Sequence, residues 1–576
     1  MKRLTFLLAL LFSAVVISAG NREYVWPKDR MPDAQDHQIA AKMTDAEREG
    51  FRPEDNRHPY LEWHPAPSKE NSNGGCMILI SGGSYNTWYD VSLVEGWAER
   101  FTGLGFQCVS LIYRTPRPEG LPIYQSAWQD GQRAVRVVRS QAKKRGFDPE
   151  KIGVIAMSAG SHMGLLLATS SQTAAYEPVD RIDNEPCHIN WAILNAPAYG
   201  TTDAREGTIA QRQGYGPDVA LDEIFKFDSR TCPMSLHHGS RDPYAPHTST
   251  LVYRKLRQMG IPSELHLYPD AGHGAYGIDR AVEFMRQMGY LGEPAQVVML
   301  QDRYADDSAR GLYEKQNIYP EGRTPSFQEQ QCVPYIEWHI PEVLKTKAVQ
   351  IIYSGGSYYM NDPDGFEVAP VRRYLTEKGM AVVTLKYRTP RPEGLAKHTA
   401  AWQDLQRTIR VVRSQAEEKG LDPQRIGIMG SSAGGHLTLM GVTSSVHQSY
   451  APIDDIDRIP CNVQWGIGIY PAYVLTDGAD GENTDGGNLD TNVIVQDFAF
   501  DLATVPMLFI HGDADGYSPM GSVKVWEKML SMGVHSELHT LATRYHGFHA
   551  AASPGTGSYT FIDRIWEFLS TKGFNL

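Results

Sequence analysis

The sequence Ile426-Gly427-Ile428-Met429-Gly430-Ser431-Ser432-Ala433-Gly434-Gly435 says most about how this chain folds. An apolar run leads into the pattern G-x-S-x-G, and a second, helix-like stretch, residues 436–445, follows it. Small residues two positions before and after Ser432 allow a sharp strand-to-helix turn, which lifts the serine hydroxyl above the edge of a sheet. The helix N-terminus also favours negative charge that develops there. The pattern therefore predicts a nucleophilic serine on a strand–turn–helix unit.

The chain contains this unit twice, because its two halves repeat one another. Residues 113–121 recur letter for letter as residues 387–395, 274 positions later, and residues 263–266 recur as residues 536–539. In the first copy the turn is spelled Ala156-Met157-Ser158-Ala159-Gly160-Ser161. Alanine is still small, so we expect the turn to form with slight strain and Ser158 to be the nucleophile. A degenerate copy that keeps the fold without activity is the alternative for this half.

Length and patterning predict two α/β domains. A chain of 576 residues is too long for one hydrophobic core. In each half, short apolar runs alternate with helix-periodic stretches such as residues 127–144, a pattern typical of a mainly parallel, doubly wound sheet flanked by helices. We expect an N-terminal domain at residues 20–295 and a C-terminal domain at residues 300–576, joined by a linker near residues 292–301.

The N-terminus resembles a secretory signal. Residues 1–19 combine a short basic start, an apolar run and a small-residue end, which predicts a cleavable signal peptide and a periplasmic or secreted protein. An uncleaved N-terminal anchor is the alternative. The net charge of −12 argues against a nucleic-acid partner or an anionic membrane. The six cysteines include no C-x-x-C pair, so we expect no zinc or redox site, and any disulfide is left open.

A serine becomes a nucleophile when a histidine takes its proton and an acid orients that histidine. In this fold the chain order is serine, acid, histidine. Each half has an apolar strand that runs into H-G-x-x-D, followed later by a His-Gly pair, and both acids and both histidines are 273 positions apart. The predicted triads are Ser158, Asp242 and His273 in the first half, and Ser432, Asp515 and His546 in the second.

The other paired histidines are expected to have structural roles. Two precede the acid in chain order on the helix after the serine, two lie in an alternating strand, and two come directly before the acid and are expected to fix its loop. These are His162 and His436, His266 and His539, and His238 and His511, respectively. His549 is a second choice for the base of the second half.

The tetrahedral intermediate of acyl transfer needs at least two hydrogen-bond donors for its oxyanion. One is the backbone amide after the nucleophile, and the other is expected from the repeated Ser-Gly-Gly-Ser-Tyr loop after an early strand, where glycines let amides turn inward. An ordinary tight turn is the alternative for that loop. The predicted oxyanion residues are Gly82, Gly83 and Ala159 in the first half, and Gly355, Gly356 and Ala433 in the second.

The repeated unit resembles the bacterial esterase-lipase group of α/β hydrolases known as acetyl xylan esterase-like or BD-FAE-like. Lys386-Tyr387-Arg388 and the segment from Gly430 to His436 carry this resemblance, which covers about residues 75–288 and 350–569. The chain departs from the family pattern where Ser84 and Ser357 stand in place of a third loop glycine, and at Ala156 and Ser161.

The resemblance implies a secreted hydrolase of short acyl esters, often acetyl groups on plant polysaccharides such as xylan, with an acylated carbohydrate as partner and no cofactor. A prolyl-oligopeptidase-type serine peptidase and a non-catalytic carbohydrate-binding protein are the alternatives. No metal is expected, because the acidic segment 477–490 fails the calcium-loop spacing. That segment and its counterpart, residues 199–228, differ most between the halves and are expected to set specificity.

Overall fold

The computed structural model describes residues 22–27, 29–35, 59–88, 91–202, 219–292, 296–299, 310–478, 492–548 and 550–574. The expected signal peptide, much of the expected linker and most of the two divergent loops lie outside these ranges, as does His549. Within them, no helix has the length and apolar character needed to span a bilayer.

The described strands of the first half are ordered β1-β2-β4-β3-β5-β6-β7-β8. β1 to β2 and β2 to β4 pair antiparallel, and the other neighbours pair in parallel. The strands are β1 (Arg22–Tyr24), β2 (Tyr60–Trp63), β3 (Cys76–Ile80), β4 (Gln107–Ile112), β5 (Ile152–Met157), β6 (Trp191–Asn195), β7 (Met234–Gly239) and β8 (Ser263–Tyr268). The helices that connect and cover them are α1 (Val91–Gly103), α2 (Gln125–Arg145), α3 (Ala159–Thr169), α4 (His247–Gln258) and α5 (Ile278–Gln287).

The strands of the second half are ordered β17-β16-β15-β14-β12-β13-β11-β10. Read backwards, from β10 to β17, this order repeats the topology of the first half. Its strands are β10 (Arg310–Asn317), β11 (Tyr335–Pro341), β12 (Val349–Tyr353), β13 (Ala381–Lys386), β14 (Ile426–Ser431), β15 (Trp465–Ile469), β16 (Met507–Gly512) and β17 (Glu537–Leu541). Its helices are α6 (Ala369–Glu377), α7 (Thr399–Gln415), α8 (Ala433–Thr443), α9 (Met520–Ser531) and α10 (Gly557–Thr571). A separate two-stranded sheet pairs β9 (Val298–Met299) with β18 (Ala551–Ala552).

The central strands are buried along all or nearly all of their length, as expected for a sheet covered by helices on both faces. Every residue of β3, β6 and β15 is buried, for example. The predicted fold class, a mainly parallel, doubly wound α/β sheet in each half, is confirmed. The described cysteines are all unpaired, and each except Cys332 is buried.

The longest repeated segments serve the fold. The Arg114 Nε atom lies 2.9 Å from Asp130 Oδ1, with both side chains fully buried, and Arg388 and Asp404 repeat this contact at the same distance. Each arginine also donates to a backbone carbonyl of the segment that precedes its domain core. The repeat in sequence is therefore explained by a buried ion pair that fastens an outer segment to the sheet.

The two halves form one sheet of 16 strands among the described residues. β8 and β17 pair antiparallel, with Leu267 opposite Leu538 and His266 opposite His539. These edge strands carry the repeated Ser-Glu-Leu-His segments. Each half therefore covers the edge strand of the other, which removes two edges that would otherwise offer unpaired backbone groups.

Polar side chains lock this junction. Asp513, in the second half, accepts hydrogen bonds from the Tyr253 hydroxyl at 2.8 Å and the Ser263 amide at 3.1 Å, and Arg257 lies 3.6 Å away. Burial raises the pKa of Asp513 to about 6 against the opposing effect of Arg257. The hydrogen bonds of Asp513 are not repeated by the other half, because the matching residue there is Ser240. The Ser240 hydroxyl forms a hydrogen bond with His535 instead.

Candidate active sites

Both candidate nucleophiles sit on a strained turn between a central strand and a helix. Ser158 joins β5 to α3 with φ 58° and ψ −124°, and Ser432 joins β14 to α8 with φ 55° and ψ −120°. Positive φ is unfavourable for a residue with a side chain and is found where the surrounding structure enforces it. Enforcement is visible at Gly160, where an added Cβ atom would lie 2.3 Å from the Ser81 carbonyl oxygen.

In the first half, the structure brings the three predicted triad residues into one hydrogen-bonded chain. His273 Nε2 lies 2.8 Å from Ser158 Oγ, and His273 Nδ1 lies 2.8 and 3.0 Å from the two carboxylate oxygens of Asp242. Ser158 is 6% exposed and the His273 side chain 24% exposed, whereas the Asp242 side chain is fully buried. This is the arrangement that a serine nucleophile, its base and an orienting acid require.

The second half repeats the arrangement almost atom for atom. His546 Nε2 lies 2.8 Å from Ser432 Oγ, and its Nδ1 lies 2.9 Å from each carboxylate oxygen of Asp515. Ser432 is 7% exposed and the His546 side chain 29% exposed. Neither half is therefore degenerate at the level of its triad geometry.

The acid of the first triad is held ionised by its loop. Asp242 Oδ1 accepts the Tyr244 amide at 2.7 Å, and Asp242 Oδ2 lies 3.3 Å from His238 Nε2. Burial raises the pKa of Asp242, but the hydrogen bonds and charges of His238 and His273 outweigh it and bring the pKa to about 2. An ionised acid stabilises the imidazolium that forms when the histidine accepts a proton.

The histidine before each acid bonds the acid's loop. His238 Nε2 contacts the Tyr244 carbonyl oxygen at 2.7 Å and its Nδ1 contacts the Ser249 hydroxyl, while His511 repeats both contacts with Tyr517 and Ser522. The structure thus places these two histidines where their chain position suggested.

The remaining paired histidines lie away from the triads. His162 and His436 lie in the helices that follow the serines, and each forms a hydrogen bond with a tyrosine hydroxyl. The partner of His162 is Tyr85, and that of His436 is Tyr358. The other two, His266 and His539, meet at the junction of the halves.

The glycine loops lie against the nucleophiles, where an oxyanion would form. A Cβ atom added at Gly82 would lie 2.8 Å from Ser158 Cβ, and one added at Gly355 would lie 2.6 Å from Ser432 Cβ. The next glycines have φ of 121° at Gly83 and 95° at Gly356, which favour a residue without a side chain. The amides of Ala159 and Ala433 begin the helices after the serines.

Sequence reasoning missed Glu367, which makes the two oxyanion regions different. The Gly355 amide donates to Glu367 Oε2 at 2.7 Å, and the Tyr470 hydroxyl donates to Glu367 Oε1 at 2.8 Å. In the first half Leu93 and Ala196 stand at the matching sequence positions, 274 residues earlier. A comparison of the two copies would have marked the difference, but only the fold brings Glu367 to the loop.

The departures from the elbow pattern are compensated within each half. In the second half, a Cβ atom added at Gly430 would lie 2.5 Å from the ring of Tyr353 on the neighbouring strand. In the first half, the residue beside Ala156 on the neighbouring strand is Ile80. Ser161, in the place of Gly435, donates its hydroxyl to the Asn195 carbonyl oxygen at 2.8 Å. The first half therefore lacks the tyrosine ring that an alanine would meet at this place in the second half.

Each half has an open cavity whose wall includes residues at or next to its divergent loop. The one in the first half, about 640 Å³, includes Tyr124, His162 and Tyr199 in its wall, and the one in the second, about 850 Å³, includes His398 and Tyr473. Tyr199 contacts the ring of Tyr244, which packs 4.9 Å from His273. Both volumes lie within the range of small-molecule sites.

Comparison with known proteins supports the same grouping. The model of the BD-FAE family matches residues 65–209 and again residues 337–471. The chain is 27% identical over 212 residues to endo-1,4-beta-xylanase B of Butyrivibrio fibrisolvens, covering 34% of this chain and 32% of that protein. It is 30% identical over 110 residues to an acetylxylan esterase of Xylanibacter ruminicola, covering 19% and 22%. The chain thus spans a third or less of these two relatives.

Among solved structures, the chain is similar to an acetyl ester-xyloside bifunctional hydrolase from Caldicellulosiruptor lactoaceticus. The match has a TM-score of 0.32 and 23% identity, and it covers 44% of this chain and 91% of that one.

Proposed function

Since each half of the chain is a member of the BD-FAE family of α/β hydrolases, we propose that the protein is a serine carboxylic-ester hydrolase with two catalytic sites. The observation that carries the proposal is the pair of serine–histidine–aspartate chains, each with 2.8 Å between histidine Nε2 and serine Oγ. The nucleophiles are Ser158 and Ser432.

The proposed reaction is acyl transfer followed by hydrolysis. His273 or His546 takes the serine proton at Nε2 while the serine Oγ attacks the ester carbonyl carbon. The amide of Ala159 or Ala433 and amides of the glycine loop, except the Gly355 amide that already donates to Glu367, stabilise the negative oxygen of the intermediate. The histidine then passes its proton to the departing alcohol oxygen, leaving an acyl-serine. Water, deprotonated by the same histidine, attacks the acyl carbon, and the carboxylic acid leaves as the serine recovers its proton.

The proposed substrate is an acylated plant polysaccharide or oligosaccharide such as acetylated xylan. Two of the relatives carry names connected with xylan, and tyrosine side chains line the cavity of each half, Tyr124 and Tyr199 in the first and Tyr473 in the second. Tyrosine rings combine an apolar face with a hydroxyl, which suits a sugar ring. We further propose export of the protein, on the signal-like residues 1–19. N-terminal sequencing of the mature protein from culture fractions tests this.

Four proteins test the catalytic proposal: wild type, Ser158→Ala, Ser432→Ala and the double variant. Release of p-nitrophenol from p-nitrophenyl acetate and of acetate from acetylated xylo-oligosaccharides is measured for each. We expect each single variant to keep the activity of one site and the double variant to lose at least about 10³-fold, because the nucleophile is absent. Ser531→Ala, on the exposed face of α9, is the control and should match wild type.

Activity of the double variant equal to that of wild type would refute the assignment of both serines. Four equally inert proteins would instead support the non-catalytic carbohydrate-binding alternative, provided that circular dichroism shows them folded.

A further inference from the structure

Three side chains outside the triad converge in the second half. His398 directly precedes α7, His436 lies in the first turn of α8, and Asp497 lies on the segment that returns from the divergent loop. One donor atom from each lies within 4.8 Å of the other two. His436 is fully buried, and the side chains of His398 and Asp497 are 15% and 33% exposed.

The spacing of these atoms matches a tetrahedral metal site. Asp497 Oδ2 lies 3.2 Å from His436 Nε2 and 3.4 Å from His398 Nδ1. Zinc binds nitrogen and oxygen donors at about 2.0–2.1 Å, which in a tetrahedron places neighbouring donors roughly 3.3–3.4 Å apart. Two edges of the tetrahedron are therefore already formed, and the third, between the two imidazoles, is at most 4.8 Å long and has to shorten when the metal binds.

The histidines are prepared to act as ligands. The Tyr358 hydroxyl lies 2.9 Å from His436 Nδ1, so the opposite ring nitrogen points at the cluster, as the outer partner of a metal-bound histidine does. The His398 Nδ1 atom is buried and has no hydrogen-bond partner among the described residues.

The first half lacks this donor set at the matching place. Its His162 repeats His436 and bonds Tyr85 in the same way. The residue before its helix α2 is Tyr124 rather than a histidine, and Ile224 stands where the second half has Asp497. The cluster is thus a property of the second half alone, and the first half supplies a matched control within the same molecule.

We propose that His398, His436 and Asp497 bind one zinc-class divalent metal ion. Two imidazoles and a carboxylate are a donor set that zinc accepts, and the cavity of about 850 Å³, which His398 and Asp497 line, leaves room for water in the fourth position. The nearby cation, Lys397, is turned toward the Tyr473 ring at 4.5 Å. The ion would tie the returning end of the divergent loop to α8, the helix that follows Ser432. Its role is structural, separate from the ester chemistry.

Zinc itself is the probe. The full chain, made without a polyhistidine tag, is dialysed against zinc and then against metal-free buffer, and bound metal is measured by mass spectrometry. We expect one zinc per chain, a higher Tm with zinc than without, and tetrahedral visible absorption bands when cobalt replaces zinc.

Substitutions at the cluster decide whether the metal sits there. His398→Tyr, which places the first-half residue at this position, and the near-isosteric Asp497→Asn should each bind no zinc and lose the cobalt bands. Tyr124→Phe, the control at the matching position of the first half, should bind one zinc. A wild type that retains no zinc, or His398→Tyr and Asp497→Asn variants that retain as much as wild type, would overturn the proposal and leave a hydrogen-bonded cluster only.

Discussion

His266 and His539 face each other across the junction of the two halves, with their Nδ1 atoms 2.8 Å apart. Because two ring nitrogens at this distance share one hydrogen bond, one imidazole must donate a proton that the other accepts. The chain of contacts continues outward, from His266 Nε2 to Glu264 at 3.0 Å and from His539 Nε2 to Glu537 at 2.6 Å. With both imidazoles neutral, this chain is complete only if one glutamate is protonated.

The junction therefore makes stability depend on pH. Burial raises the pKa of Glu264 and Glu537 to about 8, so the folded protein keeps protons that the unfolded chain releases above about 4.3. The stability that these two glutamates contribute is fully present below their pKa in the unfolded chain, and it is lost as the pH rises toward 8. Burial lowers the pKa of His266 and His539. The stability that these neutral histidines contribute is lost only as the pH falls below about 6.5.

We predict that Tm falls between pH 6.5 and 8.5 in wild type and falls less in the Glu264→Gln/Glu537→Gln variant. Differential scanning fluorimetry over this range measures both slopes. Charged and titratable groups around the cluster are Arg280, Glu283, Arg564, Glu567, Lys572 and His237. Equal slopes for the two proteins would show that the glutamates do not titrate in this window.

Removal of the Asp513 carboxylate should destabilise the fold. Asp513→Ala leaves the Tyr253 hydroxyl, the Ser263 amide and Arg257 without their buried acceptor. We expect a loss of about 3–5 kcal/mol in the free energy of unfolding, the usual cost of breaking a buried pair. Urea titration measures it. Asp279→Ala breaks an exposed ion pair with Arg100 and should cost less than about 1 kcal/mol; equal costs for the two variants would contradict the argument.

Glu367 should restrain the second site. Its carboxylate accepts the Gly355 amide and places negative charge where an oxyanion would develop. In a Ser158→Ala background, which isolates the second site, we expect Glu367→Leu to raise kcat/KM for p-nitrophenyl acetate. Leucine is the residue at the matching position of the first half. A lower kcat/KM would mean that Glu367 instead holds the loop in its active position.

The elbow of the second half should not tolerate the residue that the first half uses. Gly430→Ala would push a methyl group to 2.3 Å from the Gly434 carbonyl oxygen and 2.5 Å from the Tyr353 ring. We expect a large fall in Tm, with partial recovery in the Gly430→Ala/Tyr353→Ile variant, because isoleucine is the partner of Ala156 in the first half. Additive effects of the two substitutions in thermal denaturation would exclude this coupling.

The sequence was sufficient for the fold class and for naming, in each half, three residues that the fold brings into hydrogen-bond contact. Strand and helix periodicity and the elbow spacing around Ser432 are patterns within short stretches of sequence. The order serine, acid, histidine can also be read along the chain, and the duplication repeats these signals in the second copy. In each half, the structure brings the three predicted triad residues into one hydrogen-bonded chain. The role of His266 and His539 at a junction was not foreseen, because a strand pattern does not reveal which strand edge lies beside it.

Tertiary structure alone decided how the halves join, why Ala156 fits and where Glu367 and the His398 cluster lie. The physical reason is that each of these depends on contacts between elements far apart along the chain. The Asp513 acceptor serves residues some 250 positions earlier, and the three proposed metal ligands come from a helix start, a helix turn and a returning loop. Such side chains follow no short-range spacing, so only the packed arrangement of strands and helices brings them together.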